Sequence, residues 1–337
     1  MSELTVPKSL LKSPGGFNPT VAMFVAAVSL LALTSCGYWL WDWSGWVCFG
    51  GNVLALHLAG TVIHDASHRA AHRNHAINTI MGHGSALMLG FVFPVFTRVH
   101  RQHHAHVNDP ENDPDHFVST GGPLLLVPVR FFYHEVFFFR RRLWQHYELL
   151  EWVASRAALA ALVALAWNYG FVEYLLNYWF CASLVVGWAL GLFFDYLPHR
   201  PFQHRQRWKN ARVYPSTLLN LLILGQNYHL IHHLWPSIPW YKYQQAYRHA
   251  QLLLEAQGSP QTLGLLAGRD FRSFVYDIFI GIRRGQRADA PVSERALSSD
   301  RGAPLQCPGA ATGCDPGAGA GPGVGRSGQS RNGARAR

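Results

Sequence analysis

Residues 47–68 read VCFGGNVLALHLAGTVIHDASH. The run from Val47 to Ile63 is apolar and long enough to cross a hydrocarbon core, and it delivers the chain into His64 and His68. On a helix, residues four apart share a face, so both imidazoles project together from the end of a span, with His72 continuing the stripe. Upstream, Val21 to Trp41 is a second apolar run, preceded by Lys8 and Lys12, and the Trp-rich turn between the runs holds Asp42 and no Lys or Arg. The two runs therefore read as a transmembrane hairpin. Leu33-Thr34-Ser35-Cys36 also resembles a lipidation box. We set that reading aside because the leader is long, carries Pro14-Gly15-Gly16, and is followed almost at once by another apolar stretch.

Composition agrees with a membrane chain. Of 337 residues, 49% are hydrophobic and 14% charged, against about 25% charged in an ordinary soluble domain. A second hairpin is expected from Arg156 to Trp167, extended by Asn168 to Glu173, and from Tyr174 to Leu197. Arg98 to Arg156 and Arg200 to Arg212 are rich in Arg, whereas the turns within the hairpins are not. The positive-inside rule thus puts these segments and both termini in the cytoplasm, in a bacterial inner or thylakoid-type membrane. Thr79 to Phe96 is apolar as well, but a crossing there would carry His100 to the opposite side from His64. With Gly82, Gly84, Gly90 and Pro94 inside it, this stretch reads as a re-entrant or interfacial hairpin. Leu218 to Leu224 is too short to cross and is expected at the interface or against the cytoplasmic part. The expected fold is an all-α integral membrane protein, with four transmembrane helices in two hairpins and a cytoplasmic helical cap. Its parts are a cytoplasmic N-terminal segment, 1–19, a membrane domain, 20–284, and a disordered Gly/Ala/Arg-rich tail, 285–337.

Nineteen His equal the Asp and Glu combined, an excess of a side chain that serves as a metal ligand. Beyond His64 and His68 the chain carries His100-Arg-Gln-His103-His104 and His229-Leu-Ile-His232-His233. Positions i, i+3 and i+4 converge within one helical turn, so each segment can deliver three nitrogens to metal. At 19 His in 337, chance predicts about 0.06 such HxxHH matches per chain, so two arise by chance in roughly two chains per thousand. His57 and His83 read instead as packed residues. Imidazole suits zinc, copper, iron and nickel alike. Eight or more His exceed the capacity of one ion, which argues for two. The Glu-x-x-His pattern of soluble di-iron bundles is absent, and the five Cys show neither ligand spacing nor a disulfide framework.

The HxxxH, HxxHH and HxxHH boxes around two hairpins resemble the membrane fatty acid desaturase and hydroxylase superfamily, over roughly Val21 to Arg284. Within it, His100 to Phe139 and NYHLIHHLWPSIPWYKY at 227–243 look like the cyanobacterial-type β-carotene hydroxylases. The resemblance implies two iron ions that activate O2 with electrons from a reduced ferredoxin, and hydroxylation of C3 of a carotenoid β-ring. It carries ligand roles onto His64, His68, His100, His103, His104, His229, His232 and His233. A further ligand of the desaturases falls on His199, with Asp195 at a position where that family places an amide. Asp109, Asp113 and Asp115 read either as carboxylates that accept the free ring N–H of liganding His, or as turn formers beside Pro110 and Pro114.

Net charge is +10, which suits nucleic acid, anionic lipid or an acidic protein. Its placement beside the spans favours a lipid membrane and an acidic ferredoxin-type donor, and no nucleic acid. The expected function is β-carotene 3-hydroxylation to zeaxanthin, with the carotenoid reaching the site from the bilayer. The ligand motifs suit a fatty acyl desaturase or a carotenoid 4-ketolase equally. A membrane metal-binding or transport protein is disfavoured, because the His lie at one face rather than along a path through the spans.

Overall fold

The computed structural model describes residues 6–263, 265 and 268–281, and among these every regular element is helical. The tail expected to be disordered, 285–337, lies outside the described residues. α1, Pro19–Leu40, starts where Asn18 accepts from the backbone N–H of Thr20 and Val21 and Pro19 pre-sets the first turn. It pairs with α2, Gly45–Ser67, which is also packed by α3 (His75–Leu89) and by the fourth span. Half of α2's most apolar window is buried within protein, against only 6% for the third span, α7 (His146–Asn168). The apolar side chains of α7 therefore need lipid to cover them.

Between the hairpins, α3 (His75–Leu89) and α4 (Phe93–His106) meet at 98°. Gly90 makes the elbow by taking φ 75°, the left-handed conformation that ends a helix most cheaply on glycine, and Pro94 opens α4. The rings of His64 and His100 are 4.8 Å apart, whereas a crossing would separate them by about 30 Å. The elbow therefore returns the chain to the side it came from. Arg101 donates to Ser67 O at 2.9 Å and Arg98 to Glu148 at 2.8 Å, tying α4 to the ends of α2 and α7.

α5 (Pro114–Thr120) and α6 (Tyr133–Arg140) lead to α7, His146–Asn168. This third span begins ten residues before the expected Arg156, because Gln145 and Glu148 form a reciprocal capping box that starts the helix in a polar first turn. Asn168 to Glu173 does not extend it: Gly170 at φ 77° turns the chain into α8, Val172–His199. Within α8, Gly191–Tyr196 is wound as π-helix just before His199. Such wide turns are frequent at functional sites. The cap follows with α9 (Thr217–Leu222), α10 (His229–Leu234), α11 (Tyr243–Ala256) and α12 (Gly268–Phe279). Val6 and Leu10 of the N-terminal segment pack with Leu230, Ile231 and Tyr243 in a core beneath α10. The exposed Leu218, Leu221 and Leu222 of α9 suit the interfacial position expected for that segment.

Candidate metal centre

Each histidine box reaches the centre from a different element. α2 supplies His64 and its C-cap His68, α4 supplies His100, His103 and His104, α8 ends on His199, and α10 supplies His229, His232 and His233. His72 does not continue the stripe. α2 stops at Ser67, Arg69 turns the backbone at φ 58°, and the buried His72 ring accepts from Asn74 N–H at 2.9 Å instead. His57 and His83 also stay out of the centre, with His57 near Leu222 O at 3.1 Å and His83 near Glu151 at 3.7 Å.

Seven of the eight box histidines, with His199, divide into two groups of four. His64, His68, His100 and His232 form one, and His103, His199, His229 and His233 the other, with the candidate ligand atoms of each group all within 4.8 Å of one another. His104 lies between them: its Nε2 is 2.8 Å from His232 Nε2 and 3.3 Å from His100 Nε2, and its ring stacks on His233 at 4.3 Å. Each HxxHH box thus serves both groups, since i and i+3 on one turn point to different sides of His104. Two adjacent tetrads are what two ions require, and one ion could not use both.

Second partners leave the inner nitrogens free for a metal. His103 Nδ1 donates to Asp113 at 2.8 Å, His199 Nδ1 to Asn210 O at 2.9 Å, and His229 Nδ1 to Gln226 at 3.0 Å. Tyr243 Oη lies 3.0 Å from His232 Nδ1. Engaging Nδ1 in this way fixes the tautomer and directs Nε2 inward. Both ring nitrogens of His64 and the Nε2 atoms of His68 and His199 are buried with no hydrogen-bond partner among the described residues. Unpaired buried polar atoms are costly, and a bound cation is the natural acceptor of their lone pairs. Burial and neighbouring imidazoles push His229, His232 and His233 well below their ordinary range, so their rings stand neutral, the form in which an imidazole can bind metal. His103 is the exception. Burial acts to lower it, but the carboxylates of Asp113 and Asp115 outweigh burial and raise it to about 9, so a metal must displace a proton there.

The three aspartates after the second box separate. Asp113 is buried, caps α5 through Asp115 N–H and accepts from His103, while Asp115 lies 3.6 Å from His103 and accepts from His134 at 2.8 Å. Asp109 sits outside this group. It accepts from the backbone of Glu111 and Asn112 in a turn and pairs with Arg205 at 3.3 Å. Asp195 lines a small cavity together with His64, His100, His103 and His229. His134, Gln226, Asn210 and Tyr243 were not among the expected site residues. His134 stands in the Phe-Phe-Tyr-His-Glu stretch at 131–135, but its sequence position offers no ligand spacing.

A larger cavity of about 230 Å³ lies alongside and shares Phe91, Phe96, Phe131, His134 and Leu190 with the first. Leu89, Leu159, Trp179 and Leu184 make its walls largely apolar. Chemically, the arrangement is a buried pair of polyimidazole sites reached through an apolar space at the level of the membrane helices.

The family model described as fatty acid desaturase matches residues 39–263 of the chain. Dihydrorhizobitoxine desaturase from Bradyrhizobium elkanii is 26% identical over 266 residues, covering 66% of this chain and 71% of that protein. Zeaxanthin 4-ketolase from Chlamydomonas reinhardtii is 27% identical over 186 residues, covering 53% of this chain and 38% of that protein. A β-carotene ketolase from Paracoccus sp. is 29% identical over 161 residues, covering 46% of this chain and 59% of that protein.

Proposed function

The chain belongs to the fatty acid desaturase family, whose members are oxygen-dependent membrane enzymes with di-iron centres, and from that premise we propose that it hydroxylates C3 of carotenoid β-rings. The observation that carries the reading is the pair of histidine tetrads lining a small cavity that shares its walls with a larger apolar cavity between membrane helices. We assign His64, His68, His100 and His232 to one iron, His103, His199, His229 and His233 to the other, and His104 to the space they share. When bound, the irons supply activation of O2 with electrons from a reduced ferredoxin-type donor. The protein's own part is positioning and exclusion of water. Phe91, Phe96, Phe131 and Phe194 wall the cavities against water, and the substrate partitions into them from the bilayer without a hydrated channel. Asp113 and Gln226 hold imidazole rings in place, and Asp115 with His134 extends the hydrogen-bonded chain from His103 to the cavity wall.

A carotenoid 4-ketolase is the second reading, favoured by the relatives that act on carotenoids. A fatty acyl desaturase is the third, favoured by the longer matches to desaturases. Expression with a ferredoxin system in a host that makes β-carotene separates the three, with pigments and lipids identified by chromatography and mass spectrometry. We expect 3-hydroxylated carotenoids. A 4-keto product would favour the second reading, and unchanged carotene with newly unsaturated lipids the third.

We place the active site and the donor on the cytoplasmic face, where Arg140, Arg142, Arg205 and Arg207 are exposed. Arg141 is otherwise occupied: it donates to Glu111 O at 2.7 Å and to Asn112 at 3.1 Å. Reversing Arg140 and Arg142 to Glu should slow donor-dependent turnover by roughly tenfold at low salt, within the range of electrostatic steering, and the difference should shrink as salt rises. Unchanged kinetics would assign these arginines to anchoring on anionic lipid.

A further inference from the structure

We propose that residues 122–136 dip into the bilayer as a second membrane-immersed segment, and that acyl chains of the leaflet on the metal-centre side cover Leu125, Leu126, Val129, Phe132 and Val136. The inference does not depend on which substrate the enzyme takes. From Gly122 to Phe139 every exposed side chain is apolar, and these five are between 50% and 68% exposed. They recur at i, i+1, i+4, i+7 and i+11, the spacing of one helical face, along the short turns Leu124–Leu126 and Val127–Arg130 and into α6. Large apolar side chains gathered in this way need something other than water to cover them.

The contact with the fourth span says what covers them. α8 begins at Val172, just past the exposed Trp167 and Tyr169, aromatic residues of the kind that mark a membrane boundary. A hydrocarbon core of about 30 Å takes about 20 residues of helix, which carries the crossing from Val172 to about Gly191. Gly187 and Gly191 stand one turn apart in the last part of that crossing. The side chain of Val127 fills the space that a Cβ at Gly191 would need, and Pro128 Cβ lies 3.3 Å from the place of a Cβ at Gly187. Small residues at this spacing let two segments approach closely within a membrane. Leu124 and Val127 also share a core with Leu192 and Tyr196 of the same span. The segment is thus seated on the crossing part of α8, and its outer face continues the lipid-facing surface to which α8 itself contributes Leu184 and Val185.

The dip returns to the side it left, since Asp115 before it and His134 near its end meet at 2.8 Å. Both ends therefore stay on the arginine-rich side. Arg130, the one charge within the apolar part, donates through Nε to Val118 O at 2.6 Å and through Nη1 to Pro123 O at 2.7 Å. Pairing with backbone carbonyls is how a charge is accommodated at such a level. Phe132 lines the larger cavity as well as being exposed, so on this side lipid, not water, borders the cavity.

The test uses the native chain in lipid nanodiscs holding one protein each, with a phospholipid that carries a photoactivated diazirine in its acyl chain. Mass spectrometry maps the adducts to peptides. Adducts should form on 124–136 as they do on α7, and not on the exposed face of α11 with His249 and Gln251. In a second measurement, Val129→Cys should react with a charged maleimide at least about tenfold more slowly than His249→Cys, since apolar surroundings keep a thiol from ionising. The two rates should converge when SDS replaces the lipid. Labelling of α7 with none on 124–136, or a Val129→Cys that reacts as fast as His249→Cys, would overturn the proposal and place this face in water. Protection that appears only when two chains share a disc would overturn it in favour of a second copy.

Discussion

Replacing His232 by Ala should abolish oxygen-dependent turnover and lower metal content, while His249→Ala should retain most activity. Both residues lie in the cap after the last span. His232 is fully buried, belongs to the tetrad with His64, His68 and His100, and has its Nε2 2.8 Å from His104 Nε2. His249 is on the exposed face of α11 and belongs to neither tetrad. Loss of a direct ligand should cost more than the roughly 10–100-fold in affinity that removal of an outer partner typically costs. Membrane insertion should persist, because distant apolar spans encode it, and α10 should keep its place through the buried Leu230 and Ile231. Iron content, turnover and membrane-fraction yield are the three measurements. A His232→Ala protein with full iron and turnover would refute the ligand assignment, and equal loss of both variants from the membrane would point to folding.

Asp113→Ala should lower metal affinity by about 10–100-fold without removing any imidazole. Asp113 is buried, and its acceptance of the His103 Nδ1 proton at 2.8 Å turns Nε2 toward His199, His229 and His233. Without the carboxylate, the largest influence raising His103 is gone and its proton is easier to displace, but the ring loses the acceptor that orients it, and the loss of orientation outweighs the easier deprotonation. The variant also removes the cap of α5, typically about 1 kcal/mol. Asp113→Asn separates the effects, since an amide caps a helix about as well but is a weaker acceptor with no charge. The Asp113→Asn protein should keep the α5 cap yet bind metal more weakly in titrations, with a smaller loss of stability than the Ala variant, because Asp113 Oδ2 accepts from Asn108 N–H at 2.8 Å and the amide has only one oxygen. Asp109→Ala, at a residue held in a surface turn, should leave metal affinity unchanged.

The histidine boxes and the hairpins were legible because both depend on short-range spacing. An apolar run of span length and a repeat of i, i+3, i+4 need no knowledge of the rest of the chain. The elbow at Gly90 was legible for a similar reason, since a helix-terminating glycine and Pro94 stood inside a run too awkward to cross. Two kinds of feature were not. The start of the third span was misplaced because hydropathy begins counting at apolar residues, whereas the helix begins at a polar capping box whose Glu148 is also held by Arg98 from α4. The division of each HxxHH box between two tetrads, and the anchoring of His199 by Asn210 O and His232 by Tyr243, depend on tertiary approach. Local sequence likewise could not tell Asp113 from Asp109, because both sit beside proline in the same acidic run and only burial separates them.

Metal analysis of the purified, active enzyme, combined with spectroscopy of the ligand set, addresses the two-tetrad centre most directly. We predict two iron per chain, coordinated mainly by imidazole nitrogen with few thiolate or carboxylate ligands. One iron per chain, or stoichiometric zinc in enzyme that turns over, would contradict it.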